Sequence, residues 1–171
     1  NKLHNKKMKK ISYILMSFIL LINVFACTGY KPIFSSTNLD FKIADYSVTG
    51  DKKLGNQIYN RLYNLSKSSQ NTPNTKNIYV LINIIKDKKA TSKNSAGKIL
   101  AYKVSLSTKV TVRNFIMDNQ ILNESFVFSS SYKVQDQYSE TKKMEDRSVE
   151  NLIDKTYQDL LIKLSESILL E

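Results

Sequence analysis

Between Leu100 and Arg113, side chains of two kinds alternate. Leu100, Tyr102, Val104, Leu106, Val110 and Val112 fall on one parity, and Lys103, Ser105, Ser107, Lys109, Thr111 and Arg113 on the other. Successive side chains of a β-strand point to opposite sides, so this stretch reads as a strand with one apolar and one wet face. A sheet built around it needs cover on one side only. At about 3.3 Å per residue the strand spans roughly 40 Å, longer than most, and it is expected to project beyond its neighbours.

The flanking patterns supply the rest of the layer. Met117-Asp118-Asn119-Gln120 carries turn chemistry, and Leu122, Phe126, Phe128 and Tyr132 begin a return strand, so a hairpin is expected. Its phenylalanines are read as core. Upstream, Phe41 to Val48 is rich in strand formers and ends at Thr49-Gly50-Asp51, where Thr49 or Asp51 can cap a helix. Leu54, Ile58, Leu62 and Leu65 then recur at helical spacing from about Lys52 to Ser66. The polar run Ser66 to Thr75 reads as a loop. In the next segment Ile78, Val80, Ile82 and Ile84 share one parity and Tyr79, Leu81 and Ile85 the other, which predicts a central strand buried on both faces. Residues 86–98 read as a lysine-rich connection. After a polar link over residues 134–141, Val149, Leu152, Ile153, Thr156, Tyr157, Leu160, Leu161, Leu164 and Ile168 recur every three or four residues, the mark of a long amphipathic helix. The order β-α-β-β-β-α predicts an α+β fold, a two-layer sandwich with two helices on one face of a mainly antiparallel four-stranded sheet.

A different pattern precedes this domain. Lys9 and Lys10 lead an apolar run from Ile11 to Phe25, then Ala26 and Cys27, the only cysteine in 171 residues. A charged start, a short apolar stretch and a small residue form the layout of a secretory signal, and the run, interrupted at Asn23, is too short for a permanent membrane span. Val24-Phe25-Ala26-Cys27 resembles the lipobox of bacterial lipoproteins, which implies cleavage between Ala26 and Cys27 and acylation of Cys27 by a diacylglycerol and an N-acyl chain. Each buried methylene contributes about 0.8 kcal/mol, so several chains anchor a protein firmly. Thr28 stands where, in lipoproteins in general, an aspartate favours the inner membrane, so the outer membrane is the expected destination. Residues 1–26 are read as the signal peptide, with translation starting at Met8, residues 27–39 as a lipidated tether and residues 40–171 as one domain.

Loss of residues 1–26 takes away five lysines and no acidic residue, so the formal charge falls from +11 to +6. No nucleic-acid-binding motif accompanies this charge, and an exported chain meets little nucleic acid. Anionic lipids and phosphorylated sugars are natural partners for it, although lysine is abundant throughout and much of the charge solvates the surface.

The motif Gly29-Tyr30-Lys31-Pro32-Ile33-Phe34 behind Cys27, followed by strand, helix and a three-strand meander, resembles the LPS-assembly lipoproteins (LptE) of Gram-negative bacteria. Ala101 to Tyr132, ending in Ser131-Tyr132, is similar to that family's long central hairpin. The resemblance implies a lipoprotein on the periplasmic side of the outer membrane. It would plug the large β-barrel of the LPS translocon, support the barrel's assembly and aid lipopolysaccharide delivery. A sheet with a polar outer face suits the polar interior of such a barrel. The resemblance also implies lipopolysaccharide contact through basic loop residues, for which Lys86, Lys88, Lys89, Lys93 and Lys98 are the candidates. The same lysines can instead guard strand ends against edge pairing. An auxiliary lipoprotein of another envelope lipid-transport system would share anchor, size and fold. A cell-wall hydrolase would need paired carboxylates, and Glu124, Asp136, Glu140 and Glu145 can be nominated, but none sits in a motif. With the sole histidine at His4, ahead of the expected start, and Cys27 acylated, the usual bases, nucleophiles and metal ligands are missing. No enzymatic activity, cofactor or metal is expected.

Overall fold

The computed structural model describes residues 39–68 and 75–169. The expected signal segment, Cys27, the tether up to Asn38 and residues 69–74 of the first loop lie outside them. The elements are β1 (Phe41–Gly50), α1 (Lys52–Ser68), β2 (Lys76–Lys93), β3 (Ile99–Asn114), β4 (Gln120–Lys133) and α2 (Tyr138–Leu169), in the expected order. They build a four-stranded sheet of order β1-β2-β3-β4. β1 runs parallel to β2, and β2, β3 and β4 pair antiparallel. The parallel pair follows from α1, since a helical crossover returns the chain to the same end of the sheet before the next strand begins.

Alternation puts Ile78, Val80, Ile82 and Ile84 of β2 and Val104, Leu106, Val110 and Val112 of β3 on the covered face, each at most 1% exposed. Leu54, Ile58 and Leu62 of α1 and Leu152, Ile153, Leu160 and Leu164 of α2 complete the core, which begins in sequence at Leu39. Each fully buried aliphatic chain of this kind contributes about 1.5–3 kcal/mol. Phe126 is buried and Phe128 packs at the core's margin beneath the Lys155 ammonium, 4.9 Å from the ring centroid.

The helix N-terminus is settled by one bond. Asp51 Oδ1 accepts from the Leu54 N–H at 3.2 Å, so Asp51 is the cap. The turn before it depends on Gly50, whose φ is +77° and whose added Cβ would lie 2.1 Å from the Ile84 carbonyl oxygen.

Four expectations need correction. β2 is central but covered on one face only; Tyr79 and Leu81 are half-buried and Ile85 is 59% exposed, because both helices pack on the other side. The lysine-rich stretch is mostly strand. β2 continues to Lys93, since Lys86 to Ala90 pair with Tyr102 to Leu106 of β3, and only the turn Asn94–Lys98 remains as a connection. β3 therefore does not outreach its neighbours. β2 has 18 residues and β3 16, and it is the 10-residue β1 that stops short, at Gly50 opposite Ile84. α2 starts at Tyr138, inside the expected link.

β1 holds a further irregularity. Its pairing shifts between Ile43 and Asp45, where one extra residue enters the strand. Phe41 and Ile43 are buried before the bulge, whereas after it Val48 joins the core and Tyr46 stacks on Tyr59 of α1, with ring centroids 3.6 Å apart. The covered face thus changes parity within one strand.

Thr108 lies in the middle of the buried apolar row of β3, 0% exposed, and its hydroxyl has no hydrogen-bond partner among the described residues. Thr108→Val keeps the shape and removes the orphaned group, so it is expected to stabilise the fold by about 1 kcal/mol in denaturant titration. Gly50→Ala is expected to destabilise it by about 2 kcal/mol or more, by forcing a Cβ into the left-handed conformation against a carbonyl oxygen.

Candidate functional site

The apolar stripe of α2 does not run its full length. Towards the N-terminus its covered positions become Ser148, Glu145 and Thr141, at the same three- and four-residue spacing, and all three are buried. They lie beneath the far ends of β2, β3 and β4. Lys86 and Lys88 come down from β2 on the parity that carries Ile82 and Ile84, and Tyr102 and Tyr132 face each other across β3 and β4 with ring centroids 5.9 Å apart.

Glu145 is the hub. Lys88 Nζ donates to its Oε2 at 2.6 Å and the Tyr132 hydroxyl donates to the same oxygen at 3.1 Å. Lys86 Nζ and Lys142 Nζ stand 3.6 and 3.8 Å from Oε1. The Lys88 ammonium also sits over the Tyr102 ring, 4.3 Å from its centroid. Burial alone would push the Glu145 carboxyl up, but the hydrogen bonds from Lys88 and Tyr132 outweigh it and hold the group below its ordinary value of 4.5. The hydrogen bond to Glu145 raises Lys88, against the opposing effect of burial. Burial likewise raises Tyr132. The lowered value favours the ionised carboxylate, whose Oε2 accepts from both Lys88 and Tyr132.

Around this hub the five sequence-derived lysines separate. Lys86 and Lys88 converge on Glu145, Lys89 pairs with Asp87 at 3.1 Å, and Lys93 and Lys98 are exposed at either end of the Asn94–Lys98 turn. Lys142, which also binds Asp146 at 2.7 Å, joins the cluster although the sequence reading passed it over. The signal for it was present: Lys142 and Glu145 are spaced as neighbours on a helix surface, on the continuation of the α2 stripe. An ammonium has three donors, so Lys86, Lys88 and Lys142, with side chains one-third to one-half exposed, can each hold Glu145 and still offer protons outward. Such an edge suits phosphate or carboxylate groups of a ligand.

The other nominated carboxylates do not gather here. Glu124 lines a recess of about 470 Å³ between β4 and α2 with Phe126, Val127, Phe128, Asp159, Ile162 and Lys163. Asp136 is exposed before α2, and Glu140 pairs with Lys143 at 2.8 Å. Among the described residues no group of histidine, cysteine and carboxylate side chains is placed to hold a metal, and no helix is long and apolar enough to cross a membrane.

The uncovered face of the sheet is the second surface of note. Lys103 stands opposite Ser131, Ser105 opposite Ser129, Ser107 opposite Val127, Lys109 opposite Ser125 and Thr111 opposite Asn123. Apart from Val127 these side chains are all polar. The β1 side of the same face adds Ser47, Thr49 and Asn83, which with Leu81, Lys109 and Thr111 line a shallow recess of about 180 Å³.

A mixed four-stranded sheet backed on one face by two helices defines an α+β scaffold. Solved structures share it. The rare lipoprotein B from Shewanella oneidensis superposes with a TM-score of 0.52 at 14% identity, over 74% of this chain and 98% of that one. A putative lipoprotein from Caulobacter crescentus gives 0.51 at 11% identity, over 78% and 93%. The uncharacterized lipoprotein B from Nitrosomonas europaea gives 0.51 at 11% identity, over 74% and 84%. The chain thus has the rare lipoprotein B (LptE-like) fold that its N-terminal motif and hairpin implied. No family model matches the chain, and no curated protein matches it in sequence.

The pH dependence of the hub is fixed by sign. A carboxylate with a depressed folded-state pKa stabilises the fold fully above its ordinary value of 4.5, and that contribution is lost as pH falls through the lowered value. Glu145→Gln is therefore expected to lower stability at pH 7 and to flatten its acid-side decline in urea titrations from pH 7 to pH 3. Lys88→Met, which removes the part-exposed ammonium but leaves the buried Glu145 with Tyr132, Lys86 and Lys142, is expected to cost about 1–2 kcal/mol at neutral pH.

Proposed function

We propose that this chain is a lipoprotein anchored through Cys27 to the periplasmic side of the outer membrane. It plugs and supports the assembly of the LPS-translocon β-barrel and aids lipopolysaccharide delivery to the outer leaflet, without enzymatic activity. The observation that carries the reading is the shared fold, which extends over nearly the whole of the Shewanella lipoprotein, on a chain whose sequence places a lipobox-like cysteine ahead of the domain.

The physical properties of the domain support it. The interior of an outer-membrane barrel is polar, and the open face of β3 and β4 presents hydroxyls, amides and ammonium groups to such a lining. Covered on its other face by α1 and α2, the sheet can meet a polar wall without exposing its core. The lysines at the Asn94–Lys98 end give phosphorylated saccharides a cationic edge, each worth on the order of 1 kcal/mol near an anionic surface.

Two measurements test these statements. A C-terminally tagged chain, extracted from outer membranes in mild detergent, is expected to bring down one large β-barrel in equal amount. Recovery of inner-membrane transporter components instead would assign the chain to another envelope lipid-transport system. Lys93→Glu with Lys98→Glu, chosen because neither lysine holds the hub, is expected to weaken lipopolysaccharide binding several-fold with no change in melting temperature. Unchanged binding would remove this end of the sheet from the ligand's path.

A further inference from the structure

The turn between β3 and β4 carries three consecutive apolar residues on the outside of the molecule. Phe115 is 54% exposed, Ile116 78% and Met117 75%. They are held there by a built turn. Asn114 Oδ1 accepts from the Ile116 and Met117 N–H groups at 2.9 and 3.0 Å, and the Asn114 carbonyl accepts from the Asp118 N–H at 3.0 Å. The Phe115 N–H donates to the Asn77 carbonyl at 2.8 Å, fastening the turn to the first residues of β2. Every backbone N–H from Phe115 to Asp118 is therefore satisfied inside the domain. In water that satisfaction is optional; in hydrocarbon it is required.

The position of this turn matters as much as its chemistry. Asn114 pairs with Ile78 and Lys76 with Phe41, so the turn lies at the end of the sheet where β1 starts and where the preceding 38 residues join the domain. From Cys27 to Phe41 the chain can span at most roughly 50 Å, so a bilayer that holds Cys27 lies within reach of this end. Beside the turn, Arg113 pairs with Asp118 at 3.4 Å and Asp45 lies near Phe115, so among the described residues no cationic cluster accompanies the apolar residues. Three side chains on one tight turn bury far less than the roughly 1,000 Å² a stable protein interface needs, but they match the shallow depth of an interfacial membrane contact.

We propose that the Phe115–Met117 turn is a membrane wedge that enters the apolar boundary of the bilayer holding the Cys27 anchor. It acts as a second, non-covalent contact that fixes the orientation of the domain. The proposal rests on the anchoring of Cys27 in the reading above, and the experiment separates the two. The chain contains no tryptophan, so Ile116→Trp places a sole indole at the wedge, and Ala96→Trp places one in the turn at the opposite end. The full acylated chain, with no other protein, is reconstituted into phosphatidylethanolamine–phosphatidylglycerol vesicles whose acyl chains are brominated. Ile116→Trp is expected to show blue-shifted emission and about a twofold or greater loss of intensity, insensitive to salt, and Ala96→Trp neither. Phe115→Ser with Met117→Ser in the Ile116→Trp chain is expected to restore most of the emission. Chain that floats with the vesicles but shows no quenching of Ile116→Trp overturns the wedge and leaves the anchor standing. Chain that does not float, with an unmodified Cys27 peptide by mass, overturns both.

Discussion

The burial of two facing rows of aliphatic side chains, Ile78 to Ile84 on β2 and Val104 to Val112 on β3, organises everything else in this domain. Because these rows occupy one parity, the sheet has one face that must be covered and one that need not be. α1 and α2 supply the cover, and their apolar stripes determine how far it extends. Arg61 of α1, which bonds both Glu150 and Asp154 of α2, joins the two helices where they meet, but it is one-third exposed and adds little beside the core. The open face is free to be hydrophilic, and this freedom is what makes the scaffold suitable for a wet enclosure.

Element order and type were legible because each long element repeats its period many times. β3 shows six alternations and α2 about five turns of apolar spacing from Val149 to Ile168, so their assignment is over-determined. Legibility fails where one local pattern has two physical causes. The lysine-rich stretch from Lys86 looked like a connection because charge usually marks solvent, yet a strand at a sheet's far end can carry lysines and still pair its backbone. Tyr79, Leu81 and Ile85 suggested a second buried face, but strand-forming side chains are tolerated at partial exposure when hydrophilic neighbours surround them. The bulge in β1 left no mark because a single inserted residue between Ile43 and Asp45 only rephases an alternation that is itself short.

The candidate site was half legible. Lysine density located the end of the sheet, whereas the carboxylate that organises it lies 57 residues away from Lys88 in sequence. Only the continuation of helical spacing from Val149 back through Ser148, Glu145 and Thr141 announces that this part of α2 is covered. A polar residue at a covered helical position implies a partner, and the partner had to come from a strand the sequence reading had cut short. The N-terminal motif carried the fold through resemblance, and the solved lipoproteins bear that fold out over most of their own lengths.

The length of β3 sets a further condition on how this molecule uses charge. Tyr102, beside the Lys88–Glu145 hub, and Asn114, at the apolar turn, are separated by about 40 Å along the strand. At physiological ionic strength the screening length is about 8 Å, so the two ends are roughly five such lengths apart. Phosphates of a bilayer that met the apolar end would exert no appreciable pull on the lysines at the other. A surface at the apolar turn would thus leave the cationic end unsaturated, and anions that travel up to that end would decide its occupancy.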